Sequence, residues 1–211
     1  FSDSITLAVY MNHPRTVRLK ADMIDKIDYD KILEMYKDRF ADASDFTFIF
    51  VGNINIEEVK PLIAQYLGAL PAIHRKETFK DNKIEKRKGV YKNEFIKQQE
   101  TAKASNFIFY HGHCAYNMQN KVLMSMLDQI MDLVYTETVR EDEGGTYGVN
   151  VGGGLSKYPK ETFSLQIVFD TDPAKRAKLM EIIFAEIEKL TKEGPSVTNL
   201  NKVKEYMLKQ H

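Results

Sequence analysis

The side chains best suited to chemistry in this sequence are Arg140 and Tyr147, which lie seven residues apart across a Gly-Gly pair. A guanidinium and a phenol can both donate hydrogen bonds to peptide carbonyls. Gly144 and Gly145 permit positive φ and free movement of the connecting loop. The three glycines at 152–154 would leave a strand surface bare, so that a second backbone can approach it. The pattern therefore suits a site that binds extended polypeptide.

The same two residues also have a purely structural interpretation. Arg140 would then be a cation at a helix C-terminus, where the helix dipole favours positive charge. Tyr147 would be a half-buried aromatic residue at the start of a strand. Both interpretations need a helix before the glycines and a strand after them, so the two residues alone leave both open.

A second candidate for chemistry is the stretch HGHC at 111–114. On a strand, His111 and His113 share one face, whereas Cys114 points the other way. Structural zinc normally takes four ligands, usually as two spaced pairs, and the sequence has no second pair. We therefore predict no metal site here and expect a strand that ends in a loop.

The stretch HRKET at 74–78 comes closest to a hydrolytic zinc motif. In H-x-x-E-H on a helix, two histidines bind zinc and the glutamate serves as base. His74 and Glu77 have the required offset, but Thr78 stands where the second histidine should be. Motifs for phosphate, for dinucleotides and for a serine nucleophile are also missing. The sequence therefore contains no complete catalytic set of its own.

Composition and charge exclude several classes of protein. Lys and Arg number 30, as do Asp and Glu, so no overall basic field would attract nucleic acid. No run approaches the ~20 apolar residues of a membrane span. Cys114 is the only cysteine, which rules out an internal disulfide. A hydrophobic fraction of 43% is ordinary for a soluble globular protein.

The elements that must position these residues follow from periodicity and from helix-capping signals. A long apolar helix is expected to end near Arg140, and a β-hairpin to follow it. The full predicted order is helix 28–40, strand 46–52, helix 55–68, a surface linker at about 71–88, strands 89–96 and 103–111, the long helix, the hairpin 146–154 and 162–170, and helices after Asp172-Pro173 and Ser196. This order predicts an α+β fold with a mainly antiparallel sheet covered by helices on one face.

At this point the sequence resembles the pitrilysin/insulinase family of zinc peptidases, which includes the mitochondrial processing peptidases. Three stretches carry the resemblance in order: FTFIFVGNINIEEVKPLIAQYLGALP at 46–71, VREDEGGTYGV at 139–149 and EIEKLTKEGPSVTNLNKVKEYML at 186–208. The resemblance implies one truncated pitrilysin-type domain over 1–211, of the C-terminal-half type, within a longer protein.

By this resemblance, an N-terminal half in the same or a partner chain binds zinc, and the C-terminal half supplies the Arg and the Tyr. Arg140 would hold the substrate backbone, and Tyr147 would hydrogen-bond the scissile carbonyl across the Gly144-Gly145 loop. The implied function is the substrate-binding, non-catalytic half of a zinc endopeptidase that acts on peptides or unfolded segments. An inactive scaffold and a peptide-binding domain of the same fold are the alternatives. Export to a bacterial periplasm is expected by analogy.

Overall fold

The computed structural model describes residues 1–16, 18–141 and 146–210. The chain divides into two compact units, Phe1–Gly89 and Val90–His211. Each unit is described by itself below. The predicted single domain over 1–211 and its linker at 71–88 stay predictions, although residues 71–88 contain no helix or strand.

The described residues of the first unit form four helices: α1 (Ser2–Val9), α2 (Ala21–Ile24), α3 (Tyr29–Arg39) and α4 (Ile56–Tyr66). The side chain of Asp28 caps α3, since its Oδ1 accepts the N–H of Lys31 at 3.0 Å. Asn55 caps α4 in the same way through the N–H of Glu57 at 3.1 Å. Both predicted helix starts are therefore confirmed, because Asp and Asn at these positions satisfy donors that the first turn leaves free.

The predicted buried strand at 46–52 is wrong. These residues belong to no strand, and Val51 is 92% exposed. Aromatic and β-branched residues favour a strand, but a strand forms only where a neighbour supplies the hydrogen bonds of a ladder. No described residue supplies that neighbour.

The carboxylate of Asp42 holds two segments of the first unit together by hydrogen bonds, which periodicity in the sequence does not reveal. Its carboxylate is buried and accepts the backbone N–H groups of Ser44 at 3.0 Å, Ile73 at 3.0 Å and Arg75 at 2.6 Å. Burial by itself would raise the pKa of this carboxyl, but the N–H donors, that of Arg75 above all, hold the pKa well below its usual range. Asp42 thereby ties the chain after α3 to the chain after α4.

The second unit is built on a three-stranded antiparallel sheet. Its strands are β1 (Ala104–His113), β2 (Thr146–Ser156) and β3 (Thr162–Thr171), in the order β1-β3-β2. Alternate residues of β3 face the core, so Leu165 and Ile167 are buried while Gln166 is exposed. The predicted hairpin and the strand at 103–111 are confirmed within a few residues. The strand predicted at 89–96 is wrong, since these residues join no ladder and Ile96 is fully exposed.

Three helices accompany this sheet: α5 (Met118–Tyr135), α6 (Arg176–Glu193) and α7 (Val197–Lys209). A π-helical turn, Thr136–Glu141, continues α5 directly. Ser196 caps α7 as predicted, accepting the N–H of Asn199 at 3.1 Å. The helix expected to start at Asp172-Pro173 begins three residues later, because Asp172 closes a turn through the N–H of Ala174 instead.

The core of the second unit lies between the sheet and the helices α5 and α6. Its buried residues form one cluster: Met131, Tyr135, Val139, Leu165, Ile167, Phe169, Leu179 and Ile183. Because Leu165, Ile167 and Phe169 belong to one face of β3, the two helices cover that face. The α+β prediction of an antiparallel sheet with helices on one face is confirmed. No helix within the described ranges is long and apolar enough to cross a membrane.

Candidate functional site

The structure places the two predicted site residues on the elements that flank the Gly-Gly loop. Arg140 lies in the π-helical turn that continues α5, and Tyr147 is the second residue of β2. The structure describes the backbone of these two residues. Gly144 and Gly145, which we predict to contact substrate, lie outside the described residues.

The turn that carries Arg140 is held in the core by buried residues before and after Thr138. Tyr135 and Val139 are almost fully buried, and the Tyr135 hydroxyl donates to the carbonyl oxygen of Ile183 on α6 at 3.4 Å. Burial raises the pKa of this phenol far above its usual value, so it stays protonated and remains a donor. π-helical turns within α-helices occur frequently at functional sites. The backbone of Arg140 therefore follows immediately after a residue that packing holds in place.

Tyr147 lies in an irregularity of β2. Thr146 pairs with Thr171 and Val149 pairs with Phe169, so Tyr147 and Gly148 together stand opposite the single residue Asp170. Two residues against one define a β-bulge, which locally redirects a strand and is common next to active sites. Gly148 has a φ of +124°, which a residue with a side chain rarely adopts.

Helix α5 packs against β2 through two carboxylates. The Oδ1 of Asp132 accepts the backbone N–H of Val151 at 3.0 Å, and the Oδ1 of Asp128 is buried beside Gly153. A Cβ on Gly153 would lie 2.6 Å from Sδ of Met124 and would also overlap Asp128. The interpretation that the glycines leave a bare surface for a second backbone is therefore wrong for Gly153, because α5 occupies that space.

Burial raises the pKa of Asp128 and of Asp132. The N–H bond from Val151 opposes that rise in Asp132, because it favours the charged form. Sequence reasoning missed both residues, since helical periodicity assigns Asp to the solvent face of an apolar helix. Their spacing of four residues opposite alternate residues of a Gly-rich strand is the signal that could have found them.

The residues that suggested metal chemistry form no metal site among the described residues. No group of three or more His, Cys, Asp or Glu side chains there could hold a metal ion. The Nδ1 of His113 lies 2.8 Å from the carbonyl oxygen of Glu161. Glu77 forms ion pairs with Arg75 at 2.8 Å and Arg39 at 3.4 Å, and its segment is not helical. The described residues therefore form no site that fits zinc.

Comparison with known proteins identifies the family of this chain. The family model described as the peptidase M16 inactive domain matches residues 26–207. The chain belongs to this family. The predicted membership of the pitrilysin/insulinase peptidases, in their half without zinc ligands, is thereby confirmed.

Related proteins agree with the M16 assignment. A zinc protease PQQL-like protein of Arabidopsis thaliana is 25% identical over an alignment of 214 positions, which covers 92% of this chain and 22% of that protein. The periplasmic protease PqqL of Escherichia coli has a similar structure, with a TM-score of 0.80 and 20% identity over all of this chain and 23% of its own. The chain therefore spans about a fifth of the length of these relatives.

Two further structures share the fold of this M16 inactive domain. A mutant of the ferredoxin protease FusC, solved in complex with Arabidopsis ferredoxin, has a TM-score of 0.72 and 16% identity over 99% of this chain and 22% of its own. A peptidase M16 inactive domain of Pseudomonas fluorescens has a TM-score of 0.64 and 19% identity over 98% of this chain and 50% of its own. At these identities the similarity concerns the fold.

Proposed function

We propose that this chain is part of the substrate-binding, non-catalytic half of a zinc-dependent endopeptidase that hydrolyses peptides or unfolded polypeptide segments. Zinc and the base that activates water belong to an N-terminal half outside this chain, in the same or a partner polypeptide. The single observation that carries the proposal is the pair Arg140 and Tyr147 within an M16 inactive domain, in the helical turn next to the buried Val139 and in the bulge of β2.

Each residue of the pair has a separate role in this proposal. The Tyr147 hydroxyl donates a hydrogen bond to the scissile carbonyl oxygen and stabilises the charge that develops there. The Arg140 guanidinium donates to backbone carbonyls of the bound peptide, in the ground state and the transition state alike. Gly144 and Gly145, which lie between Arg140 and Tyr147 in the sequence, contact the bound peptide, since a residue without a side chain lets another backbone approach closely. We also propose export to a periplasm, by analogy with the E. coli protease.

Peptide hydrolysis by the full-length natural protein tests the proposal through Tyr147→Phe. Losing one oxyanion donor typically lowers kcat ~10²–10³-fold, and we expect the lower end with little change in KM. Arg140→Ala should raise KM as well, because it removes an interaction that already exists in the ground state. Tyr158→Phe is the matched control, since Tyr158 is an exposed tyrosine in the connection between β2 and β3.

The result also separates this function from the alternatives. A full-length protein that hydrolyses no peptide would be a scaffold or a peptide-binding protein of the same fold. A Tyr147→Phe enzyme with unchanged kcat would make Tyr147 a packing residue, as in the structural interpretation of the pair.

A further inference from the structure

The contact between α5 and β2 uses donors that the sheet itself leaves free. Strand β2 lies at the edge of the three-stranded sheet, so every second N–H group points away from β3 and has no ladder partner there. Val151 carries one of these N–H groups, which donates to Oδ1 of Asp132 on α5 at 3.0 Å. One helical turn earlier on α5, Oδ1 of Asp128 is buried beside Gly153, two residues further along β2. The bond to Val151 and the contact at Gly153 therefore fix both the distance and the register between helix and strand.

The contact is close because Gly153 has no side chain. Its φ is not positive, so backbone conformation does not require glycine at this position. Packing does, since a Cβ would lie 2.6 Å from Sδ of Met124. A side chain at 153 would hold α5 further from β2 and lengthen the hydrogen bond from the Val151 N–H to the Asp132 carboxylate.

The same helix and strand carry the two residues of the proposed site. Asp132 precedes Arg140 by eight residues along α5 and its π-helical turn, and Tyr147 precedes Val151 by four residues along β2. The carboxylate contact thus closes the base of the loop that runs from Arg140 to Tyr147. A slip of β2 along α5 would move Tyr147 relative to Arg140, whichever conformation the loop adopts.

We propose that Asp132 is a positioning residue that fixes Tyr147 relative to Arg140 by binding the edge N–H group of Val151 on β2. The inference rests on the function proposed above. Asp132 contacts neither substrate nor metal in this scheme and acts through the strand. A carboxylate suits the task, because hydrogen bonds to a charged acceptor are stronger than those to a neutral one.

Asp132→Leu in the full-length natural protein tests the inference, because leucine has a similar size and accepts no hydrogen bond. We expect kcat for peptide hydrolysis to fall on the order of 10-fold to 10²-fold, as for a catalytic group misplaced by about 1 Å, with little change in KM. Asp132→Asn should recover most of kcat, since its amide oxygen can still accept the Val151 N–H. Glu188→Gln is the control, because it removes an exposed carboxylate on α6.

A double-mutant cycle shows whether Asp132 acts through Tyr147. If it does, Asp132→Leu should have little further effect on kcat in the Tyr147→Phe background. If the losses of kcat in the two single variants add in the double variant, the inference is overturned. It is also overturned if Tyr147→Phe lowers kcat while Asp132→Leu leaves it unchanged. Should Asp132→Leu fail to fold, Gly153→Ala disturbs the same contact from the strand side and should give the same selective loss of kcat.

Failure of the proposed function would look different. In that case Tyr147→Phe itself would leave kcat unchanged. Amide hydrogen exchange at Val151 and Gly153 reports the contact without any assay of activity, and it should be faster in Asp132→Leu than in the wild type. Unchanged exchange there would overturn the inference whatever the activity.

Discussion

Gly153→Ala should weaken the contact between α5 and β2, whereas Gly154→Ala should not. The added Cβ at 153 would overlap Asp128 and lie 2.6 Å from Sδ of Met124. The Cβ at 154 would have no atom within 4 Å, and neither glycine has a positive φ. The two substitutions are thus chemically identical and adjacent, and they differ only in what the new methyl group meets.

The size of the difference follows from the overpacking at 153. Overpacking a well-filled site costs about 1–3 kcal/mol. The gain of about 0.4–1 kcal/mol from the lower entropy of the unfolded chain applies to both variants and cancels. We therefore expect Gly153→Ala to be less stable than Gly154→Ala by about 2 kcal/mol, which corresponds to roughly 30-fold in an equilibrium constant.

Hydrogen exchange followed by mass spectrometry on the full-length natural protein measures this difference locally. Peptides that cover β2 should exchange roughly 30-fold faster in Gly153→Ala than in Gly154→Ala, because local opening controls exchange. Equal exchange in the two variants would refute the close packing of α5 on β2. Faster exchange in Gly154→Ala would show that the sheet face at 154 is covered.

Two further predictions concern other parts of the chain. Asp42→Asn should speed exchange of the amides of Ile73 and Arg75. The folded-state pKa of Asp42 lies below the unfolded value of about 3.9, so the contribution of its carboxylate to stability is complete above that pH and is lost as the pH falls toward the folded pKa. The excess exchange of the variant should therefore shrink below about pH 4. An excess that is independent of pH would contradict the role of the carboxylate. Metal analysis of this chain, purified without a His-tag, should find no stoichiometric zinc. Among the described residues, His111 and His113 belong to no group of three or more side chains that could hold a metal ion. One tightly bound zinc per chain would disprove this prediction.

The second unit was predictable from its sequence because local signals and tertiary packing agree there. The apolar period of α5 and the alternation of β3 each point to the face that packing buries. Agreement is incomplete even so, since Leu123, one of the apolar residues of α5, is 53% exposed. The end of α5 also departs from the simple period, because the π-helical turn at Thr136–Glu141 changes which residues face the core.

What the sequence did not reveal depends on distant partners. The segment 46–52 has the composition of a strand, but composition does not supply the neighbouring strand that a ladder requires. Asp42 and Asp132 resemble surface carboxylates in any window of sequence, and only the fold brings backbone N–H groups to them. For the proposed site, sequence and resemblance indicated Arg140 and Tyr147, and the residues that hold their elements together came from the structure.

The strand order β1-β3-β2 also sets the order in which this sheet can form during synthesis. Strands β2 and β3 are joined by a short connection, so they can pair as soon as both leave the ribosome. Among the described residues, strand β1 pairs only with β3, with His113 opposite Thr162 and Ala104 opposite Thr171. At about 5–20 residues per second, β1 therefore waits about 3–12 s for the whole of its partner. During that interval the aromatic residues of β1 are accessible to chaperones and to other nascent chains.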